Sequence, residues 1–197
     1  MPSINLRGIS TEAGSNEVGY YLDELPLAGI RVPLKPDVRA WDIERVEVLR
    51  GPQGTLFGEG SMGGTIRTIT RDPRFNEWQT QFAMQGSHTE SGGFNEGYKG
   101  MLNIPLLEDR MALRLTGTKE KTADWGQDTA GSSSDLDSQH IATYRAKLLW
   151  RPVDRLAINA SYWHYDADFS GGFYATEDLD VSRTVKYHRT CDMGLAV

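Results

Sequence analysis

The sequence has no hydrophobic run long enough to cross a membrane as an α-helix. Its mean hydropathy is −0.48, and no stretch approaches the roughly 18 to 20 consecutive apolar residues that such a helix needs. A helical membrane protein is therefore excluded. Two classes stay open, a soluble β protein and a transmembrane β-barrel, because barrel strands alternate apolar with polar residues and keep the average hydropathy low.

Basic charge and cysteine are also scarce. The 197 residues carry 27 acidic and 21 basic side chains, which gives a formal net charge of −6. This balance argues against nucleic acid as the main partner. Cys191 is the single cysteine, so the chain cannot form an internal disulfide.

Metal-ligand spacing is missing as well. The histidines show no i, i+4 pattern and are interpreted as surface residues of loops and strand ends. An acidic cluster leaves a calcium site open, although a solvated loop is the favoured interpretation. We therefore predict no catalytic residue, no cofactor and no assigned metal site. The histidines are His88, His140, His164 and His188, and the cluster comprises Asp166, Asp168, Glu177, Asp178 and Asp180.

Glycine, in contrast, is plentiful, and one loop has the spacing of a dinucleotide-binding motif. Gly58, Gly60 and Gly63 follow the G-x-G-x-x-G pattern, which cradles a pyrophosphate only where a helix leaves the loop. Thr65–Thr70 alternates β-branched residues with Arg and Thr and predicts a strand instead. A cofactor-binding enzyme is the weaker interpretation, and circular dichroism showing substantial helix would revive it.

Short strands joined by Gly- and Pro-rich turns are predicted up to about Pro73. They form a compact piece rich in small residues. The predicted strands are Ile4–Arg7, Val18–Asp23, Ile43–Leu49 and Thr65–Thr70, with a short helical turn over Asp37–Asp42.

From Trp78 onward the chain shows about five longer stretches of alternating apolar and polar residues, of the length of barrel strands. Each stretch has one apolar face and one polar face. The apolar positions are Trp78, Thr80, Phe82 and Met84; Tyr98, Gly100, Leu102 and Ile104; Met111, Leu113 and Leu115; Ala142, Tyr144, Ala146, Leu148 and Trp150; Leu156, Ile158, Ala160 and Tyr162.

The connections between these stretches alternate in length. Polar loops over His88–Glu96 and Ala123–Ser138 alternate with tight turns over Leu107–Arg110 and Arg151–Arg155. Outer-membrane barrels show this alternation of extracellular loops and periplasmic turns. A soluble antiparallel sandwich also alternates along its strands, but its strands are usually shorter, so the pattern favours a membrane barrel. Aromatic girdle residues are expected at the short-turn end (Trp78, Trp150) and at the other end (Tyr98, Tyr162, Trp163, Tyr165).

Three stretches of the sequence resemble a known family. Residues 41–58 (WDIERVEVLRGPQGTLFG), continuing to 63–70 (GGTIRTIT), closely resemble the plug-domain signature of TonB-dependent outer-membrane receptors. Residues 6–9 and 18–26 resemble two further plug segments in the right order. The resemblance covers residues 3–73, and residues 74–197 look like the first strands of the receptor barrel.

The resemblance implies a mainly β fold. We expect a partial plug domain of mixed α+β, β-rich structure over residues 1–73, followed over residues 74–197 by the first five or so antiparallel strands of an outer-membrane β-barrel of the roughly 22-stranded type. It also implies a receptor of the Gram-negative outer membrane, with TonB, membrane lipid and a scarce nutrient such as a ferric siderophore as partners. The alternative is a plug-like soluble module that binds a ligand or signals without transport.

Site residues follow from the same resemblance. Arg7 and Arg50 match plug arginines that pair with barrel carboxylates and hold the plug in place, with solvation in a polar lumen as the alternative. The plug glycines are expected to allow close turns, where a Cβ would clash or φ must be positive. Ligand contacts are expected at plug apices and loops. The glycines are Gly51, Gly54, Gly58, Gly63 and Gly64, and the apical residues are Ser15, Asn16, Arg31 and Lys35.

The sequence also departs from the family pattern. It contains no signal peptide, no TonB box and no early plug segment, and five strands cannot close a barrel, so we expect a truncated product. The segment Thr190–Leu195 looks unlike barrel sequence and is interpreted as a tail with an altered reading frame, with a sixth strand as the alternative.

Overall fold

A computed structural model describes residues 18–27, 41–58, 61–89, 93–123, 138–170 and 186–196. The chain divides into two compact units, Met1–Arg71 and Asp72–Val197. The predicted strand at Ile4–Arg7 and most of the predicted helical turn over Asp37–Asp42 lie outside the described residues.

The first unit is built on a four-stranded mixed sheet. β1 pairs with β4 in parallel, while β2 pairs with β1 and β3 pairs with β4 antiparallel, which gives the order β2-β1-β4-β3. The β-branched residues of β3 and β4 favour this pleated backbone. The elements are β1 (Val18–Leu22), β2 (Leu25–Pro26), β3 (Ile43–Arg50), the helical turn α1 (Gly54–Phe57) and β4 (Gly64–Thr70).

A side chain in the turn after β1 ties that turn to the end of β4. Asp23 has a φ of 53°, a left-handed conformation that Asp tolerates better than most residues. Its carboxylate accepts hydrogen bonds from the Thr70 backbone N–H at 2.8 Å and from the Thr70 hydroxyl at 2.9 Å. The Asp23 N–H donates to the Thr68 carbonyl at 2.8 Å, so the turn is held from both sides.

The second unit is a six-stranded antiparallel meander in sequence order. Its strands are 10 to 15 residues long, whereas soluble strands are typically about 5 to 6 residues and a tilted transmembrane strand needs about 9 to 11. The strands are β5 (Gln79–His88), β6 (Phe94–Leu107), β7 (Met111–Thr122), β8 (Gln139–Val153), β9 (Leu156–Ser170) and β10 (Lys186–Ala196).

The β5–β6 connection is shorter than the sequence predicts. Strand pairing continues to His88 and resumes at Phe94, and these two residues lie opposite each other. The predicted loop His88–Glu96 therefore shrinks to residues 89–93, because polar residues such as Asn95 and Glu96 form ladder pairs with β5. The Gly/Ser-rich composition of this segment concealed its alternation.

The alternative prediction for Thr190–Leu195, a sixth strand, is confirmed. These residues lie in β10, which pairs with β9 from Lys186 opposite Ser170 to Met193 opposite Trp163. A backbone edge that β9 left unpaired would attract another strand, whatever the side-chain pattern of that strand. The weak apolar alternation of the segment did not reveal this pairing.

Within the described residues, no α-helix has the length and apolar character to span a membrane.

Candidate functional site

The two faces of the six-stranded sheet differ sharply in chemistry. Directly opposed residues of neighbouring strands share a face, so the register defines both sets. We call the first the apolar face: it bears Thr80, Phe82, Met84, Tyr98, Leu102, Ile104, Leu113, Leu115, Tyr144, Ala146, Leu148, Trp150, Ile158, Ala160 and Tyr162, and toward the long connections also Glu96, Lys119 and Lys121. We call the second the polar face: it bears Gln79, Gln81, Gln85, Asn95, Lys99, Met101, Asn103, Arg114, Thr116, Thr118, Glu120, Thr143, Arg145 and Lys147, together with the apolar residues Ala83, Ala112, Ile141, Leu149, Trp163 and Tyr165.

The apolar face is the exposed one. Phe82 and Met84 are 66% and 70% exposed, and Tyr98, Leu115 and Tyr162 are also exposed. The predicted apolar positions line up across the sheet, as in the row from Leu102 through Leu115 to Ala146 and Tyr162. A continuous apolar surface of this extent on a monomeric soluble protein is rare and marks contact with protein or membrane.

The polar face is largely buried. Asn103 is fully buried, Arg114 is 3% exposed, and Thr118 and Thr143 are also buried. A soluble sheet places its apolar side chains in the core and its polar side chains in water. This sheet has the opposite polarity, which is the arrangement of a transmembrane barrel whose outer surface meets lipid and whose interior is polar.

Two of the predicted girdle aromatics lie on the wrong face. Trp163 opposes Arg145 and Tyr165 opposes Thr143, and both side chains are buried on the polar face. Their neighbour Tyr162 is exposed on the apolar face as predicted, and so is Tyr98. Past Tyr162 the alternation of β9 reverses, with His164 and Asp166 on the outward side.

Ion pairing compensates charge on the polar face. The Lys99 ammonium lies 2.9 Å from the Glu120 carboxylate, and both side chains are mostly buried. The Arg114 guanidinium donates to the Gln79 side-chain oxygen at 3.2 Å. A buried charge is tolerated only when it is paired and hydrogen-bonded. These contacts therefore stabilise Lys99 and Arg114 on the polar face of the sheet.

Asn103 fastens the segment that precedes β5 to the sheet. Its amide donates to the backbone carbonyls of Arg74 at 2.9 Å and Glu77 at 2.6 Å, and its oxygen accepts the Arg74 N–H at 2.9 Å. Nearby, the Lys147 ammonium lies 3.2 Å from the Asp72 carboxylate. Residues 72–77 are thereby held against strands β6 and β8, and Asn103 satisfies three backbone groups at once.

In the first unit, the glycine-rich loop is shaped by backbone conformation. The N–H groups of Gly51 and Gln53 donate to the carbonyls of Gly63 and Ser61 at 3.3 and 2.8 Å, which closes the loop across its base. Gly51 and Gly58 have φ values of 90° and 67°. Strand β4 begins at Gly64, so a strand and not a helix leaves the loop, as the sequence predicts.

Gly58 provides a local test of this conformation. Its φ of 67° and ψ of −148° lie in a region that is essentially restricted to glycine. We expect Gly58→Ala to destabilise the first unit by about 1–3 kcal/mol. Gly54→Ala is the matched control, because Gly54 lies in α1 and a Cβ there has open space. Native-state hydrogen exchange of the β4 amides measures both, and equal protection in the two variants would contradict the assignment.

Arg67 joins four elements of the first unit. Its guanidinium lies 2.7 Å from Glu24 and 3.0 Å from Glu47, and it sits 5.5 Å from the centroid of the Phe57 ring. Tyr21 packs edge-on against the same ring, with centroids 5.1 Å apart, and its hydroxyl donates to the Phe57 carbonyl. The mostly buried arginine therefore connects the β1–β2 turn, β3 and α1 to β4.

We expect the Glu47 carboxylate to make the stability of the first unit depend weakly on pH, because solvent screens a partly exposed ion pair. A hydrogen bond from Arg45, aided by the charges of Arg45 and Arg67, lowers the pKa of Glu47 below its ordinary value of 4.5. A lowered folded-state pKa gives stability that is present above the unfolded value and is lost as pH falls through the folded value. We expect protection of β3–β4 amides to fall below about pH 4.5, and Glu47→Gln to remove this component. An unchanged profile in the variant would contradict the prediction.

The predicted site residues fall partly outside the described residues. Arg7, Ser15, Asn16, Arg31 and Lys35 all do. Arg50 is described and is exposed at the end of β3, where it opposes Gly64.

Among the predicted plug glycines, Gly51, Gly58 and Gly64 have positive φ, Gly54 lies in α1 and Gly63 is buried. Open space surrounds the positions of a Cβ at Gly51, Gly54 and Gly58. At Gly51 and Gly58 the requirement for glycine therefore comes from φ.

No group of three or more potential metal ligands occurs within the described part of the chain. Of the acidic cluster, Asp166 and Asp168 are described in β9, and the other three members are not. Sequence reasoning missed Asn103 and Arg67, whose hydrogen-bond partners lie 20 to 43 residues away. Only the fold brings such residues together.

Comparison with known proteins gives one family and several relatives. Residues 1–65 match the family model of the TonB-dependent receptor plug domain. The chain is 29% identical over 168 residues to a ferrioxamine B receptor of Salmonella typhimurium, covering 84% of this chain and 22% of the receptor.

Two solved structures share the fold. The first is the ferric yersiniabactin uptake receptor FyuA from Yersinia pestis, with a TM-score of 0.68 and 24% identity over 85% of this chain and 26% of that one. The second is a ferric enterobactin receptor mutant of Pseudomonas aeruginosa in complex with enterobactin, with a TM-score of 0.57 and 19% identity over 78% of this chain and 26% of that one. The chain thus spans about a quarter or less of the length of these proteins.

Proposed function

We propose that the chain, whose residues 1–65 match the plug-domain family model of TonB-dependent receptors, is part of such a receptor and takes part in the energised uptake of a ferric siderophore across the bacterial outer membrane. In this proposal residues 1–73 are the plug domain and residues 74–197 are the first strands of the barrel. The ligand would bind on the extracellular side, and TonB would deliver the energy that rearranges the plug.

The observation that carries this proposal is the inverted polarity of the six-stranded sheet. Its exposed face bears Phe82, Met84 and Leu115, while its buried face bears Asn103 and Arg114. Lipid satisfies the first face and a polar, hydrated lumen satisfies the second. A soluble ligand-binding module would require the reverse arrangement. The polarity of the sheet therefore supports the proposal that these strands span a membrane.

The proposed mechanism requires no covalent chemistry, and we propose no enzymatic activity. Ligand binding and TonB each favour particular plug states, and transport follows from their different affinities for those states. The plug arginines Arg7 and Arg50 would pair with carboxylates of the barrel wall, since a guanidinium in a lumen offers bidentate geometry to such partners. Ser15, Asn16, Arg31 and Lys35 would contribute ligand contacts from the plug apices.

Uptake in cells tests the proposal. The gene that encodes the chain is deleted at its own locus, and accumulation of ⁵⁵Fe from ferrioxamine B and from ferric enterobactin is compared with that of the parent strain and a complemented strain. We expect deletion to abolish accumulation from at least one chelate, and a protonophore to have the same effect on the parent. Accumulation from both chelates that is independent of the gene would contradict the proposal.

A further inference from the structure

A polar hollow of about 240 Å³ lies at one end of the second unit. It is formed where the β5–β6 connection and the end of β7 meet, which is the end of the sheet opposite the tight turns. In outer-membrane barrels the long connections are extracellular, so a ligand arriving from outside would reach this end first. The lining residues are Gln85, Ser87, Asn95, Glu96, Gly97, Glu120, Lys121 and Thr122.

The absence of a side chain at Gly97 creates the floor of the hollow. Gly97 opposes Gln85 on β5 and Glu120 on β7, so the three positions form one row on the polar face. A Cβ at Gly97 would lie 3.4 Å from the Glu120 side chain and 3.7 Å from that of Gln85. These are contacts with flexible side chains, so a larger residue fits at Gly97 and fills the space.

The walls of the hollow are held in place by hydrogen bonds. The Asn95 amide donates to the hydroxyls of Ser87 at 3.2 Å and Thr89 at 2.9 Å, and its oxygen accepts the Ala123 N–H at 2.7 Å. Lys99 fixes the Glu120 carboxylate at 2.9 Å. Preorganised polar walls lower the cost of ordering side chains when a ligand binds.

The size of the hollow suits part of a ligand. Pockets that enclose a whole small molecule measure roughly 300–1,000 Å³, whereas this one measures about 240 Å³. It has room for roughly eight water molecules at about 30 Å³ each. A single flexible arm of a chelate matches this volume.

The charges of the hollow indicate the class of ligand. Glu120 is the lining carboxylate on the polar face, and it is paired with the Lys99 ammonium at 2.9 Å. Glu96 and Lys121 oppose each other on the apolar face, where the Tyr98 hydroxyl donates to Glu96, so their charged groups lie on the other side of the sheet. Among the described residues that line the hollow there is no net cationic charge to compensate a polyanion, and desolvating uncompensated charge is expensive. The remaining groups are amides and hydroxyls, which hydrogen-bond to neutral polar groups.

We propose that the hollow over Gly97 is a subsite for an uncharged arm of a ferric chelate that bears amide or hydroxamate groups, in preference to a polyanionic catecholate. The inference rests on the proposed uptake function and specifies the ligand class for it. Two buried hydroxyls, of Thr118 and Thr143, oppose each other one register step further along the polar face, and within the described residues neither has a hydrogen-bond partner. They extend the polar surface away from the hollow.

Substitutions at the chromosomal locus test the subsite. Equilibrium binding of ⁵⁵Fe-labelled ferrioxamine B, a hydroxamate, and of ferric enterobactin, a catecholate, is measured on de-energised cells. Gly97→Leu fills the hollow and is expected to weaken ferrioxamine B binding by about tenfold or more. Gly100→Leu is the matched control, because Gly100 opposes Phe82 on the apolar face and a Cβ there has open space.

A second variant keeps the test informative if Gly97→Leu reduces the amount of receptor in the outer membrane. Gln85 is exposed on the same wall, and Gln85→Lys adds a cation without filling the hollow. We expect it to raise the affinity for ferric enterobactin relative to ferrioxamine B by severalfold.

The results of these binding measurements distinguish failure of the subsite, of the ligand class and of the uptake function. Unchanged binding in Gly97→Leu and Gln85→Lys overturns the subsite but leaves the uptake function standing. Tighter binding of ferric enterobactin than of ferrioxamine B by the parent overturns the ligand class. Parent cells that bind neither chelate better than the deletion strain overturn both the subsite and the proposed function.

Discussion

Replacing Phe82 with arginine will lower the stability of the second unit by about 2–4 kcal/mol if its apolar face lies in lipid. Phe82 lies near the middle of β5 and is 66% exposed. On a soluble protein an exposed Phe→Arg change is close to neutral, because both side chains meet water. In a membrane the arginine side chain must either be buried in hydrocarbon or extend toward the membrane–water interface. Both arrangements cost free energy.

The adjacent residue supplies the control for this experiment. Gln81 is exposed on the polar face of the same strand, so Gln81→Arg introduces the same side chain one residue away and is expected to change stability by less than about 1 kcal/mol. Reversible urea unfolding in lipid vesicles measures both variants. Equal effects at the two positions would contradict the assignment of the faces.

Replacing Asn103 with alanine is expected to cost about 3 kcal/mol. The side chain is fully buried and bonds the Arg74 N–H, the Arg74 carbonyl and the Glu77 carbonyl. Its removal breaks three hydrogen bonds, and each contributes about 1 kcal/mol net. Urea unfolding and proteolysis within residues 72–77 both report the loss.

Asn159→Ala is the comparison for Asn103→Ala. Asn159 lies on the same face of the sheet, opposite Leu149, but it is exposed. We expect this variant to unfold like the parent chain and to resist protease to the same extent. An Asn103→Ala protein as stable as Asn159→Ala would show that residues 72–77 do not depend on the buried amide.

The periodicity of the sequence predicts most of the strand architecture. The apolar positions of β5 to β8 fall on one face because a period of two is an unambiguous signal over 10 or more residues. The strand after the glycine-rich loop was also predictable, since β-branched residues at Thr65, Ile66 and Thr68 disfavour a helix start.

Features that depend on strand register could not be predicted from the sequence. Trp163 and Tyr165 carry the apolar character of girdle residues, but β9 reverses its alternation after Tyr162, and only the pairing with Arg145 and Thr143 shows which face they occupy. The hollow over Gly97 needs three strands in register. Asn103 is an ordinary polar residue of a polar face until the fold brings residues 74–77 next to it.

Measuring which face of β5 contacts lipid tests the assignment of the two faces directly. With Cys191 replaced by Ser, spin labels are placed one at a time at residues 80 to 85 of the chain in outer-membrane vesicles, and their collision rates with oxygen and with a water-soluble nickel complex are measured. We expect oxygen accessibility to peak at residues 80, 82 and 84 and nickel accessibility to peak at residues 81, 83 and 85. Peaks for both reagents at residues 80, 82 and 84 would place the apolar face in water and contradict its assignment as the lipid-facing surface.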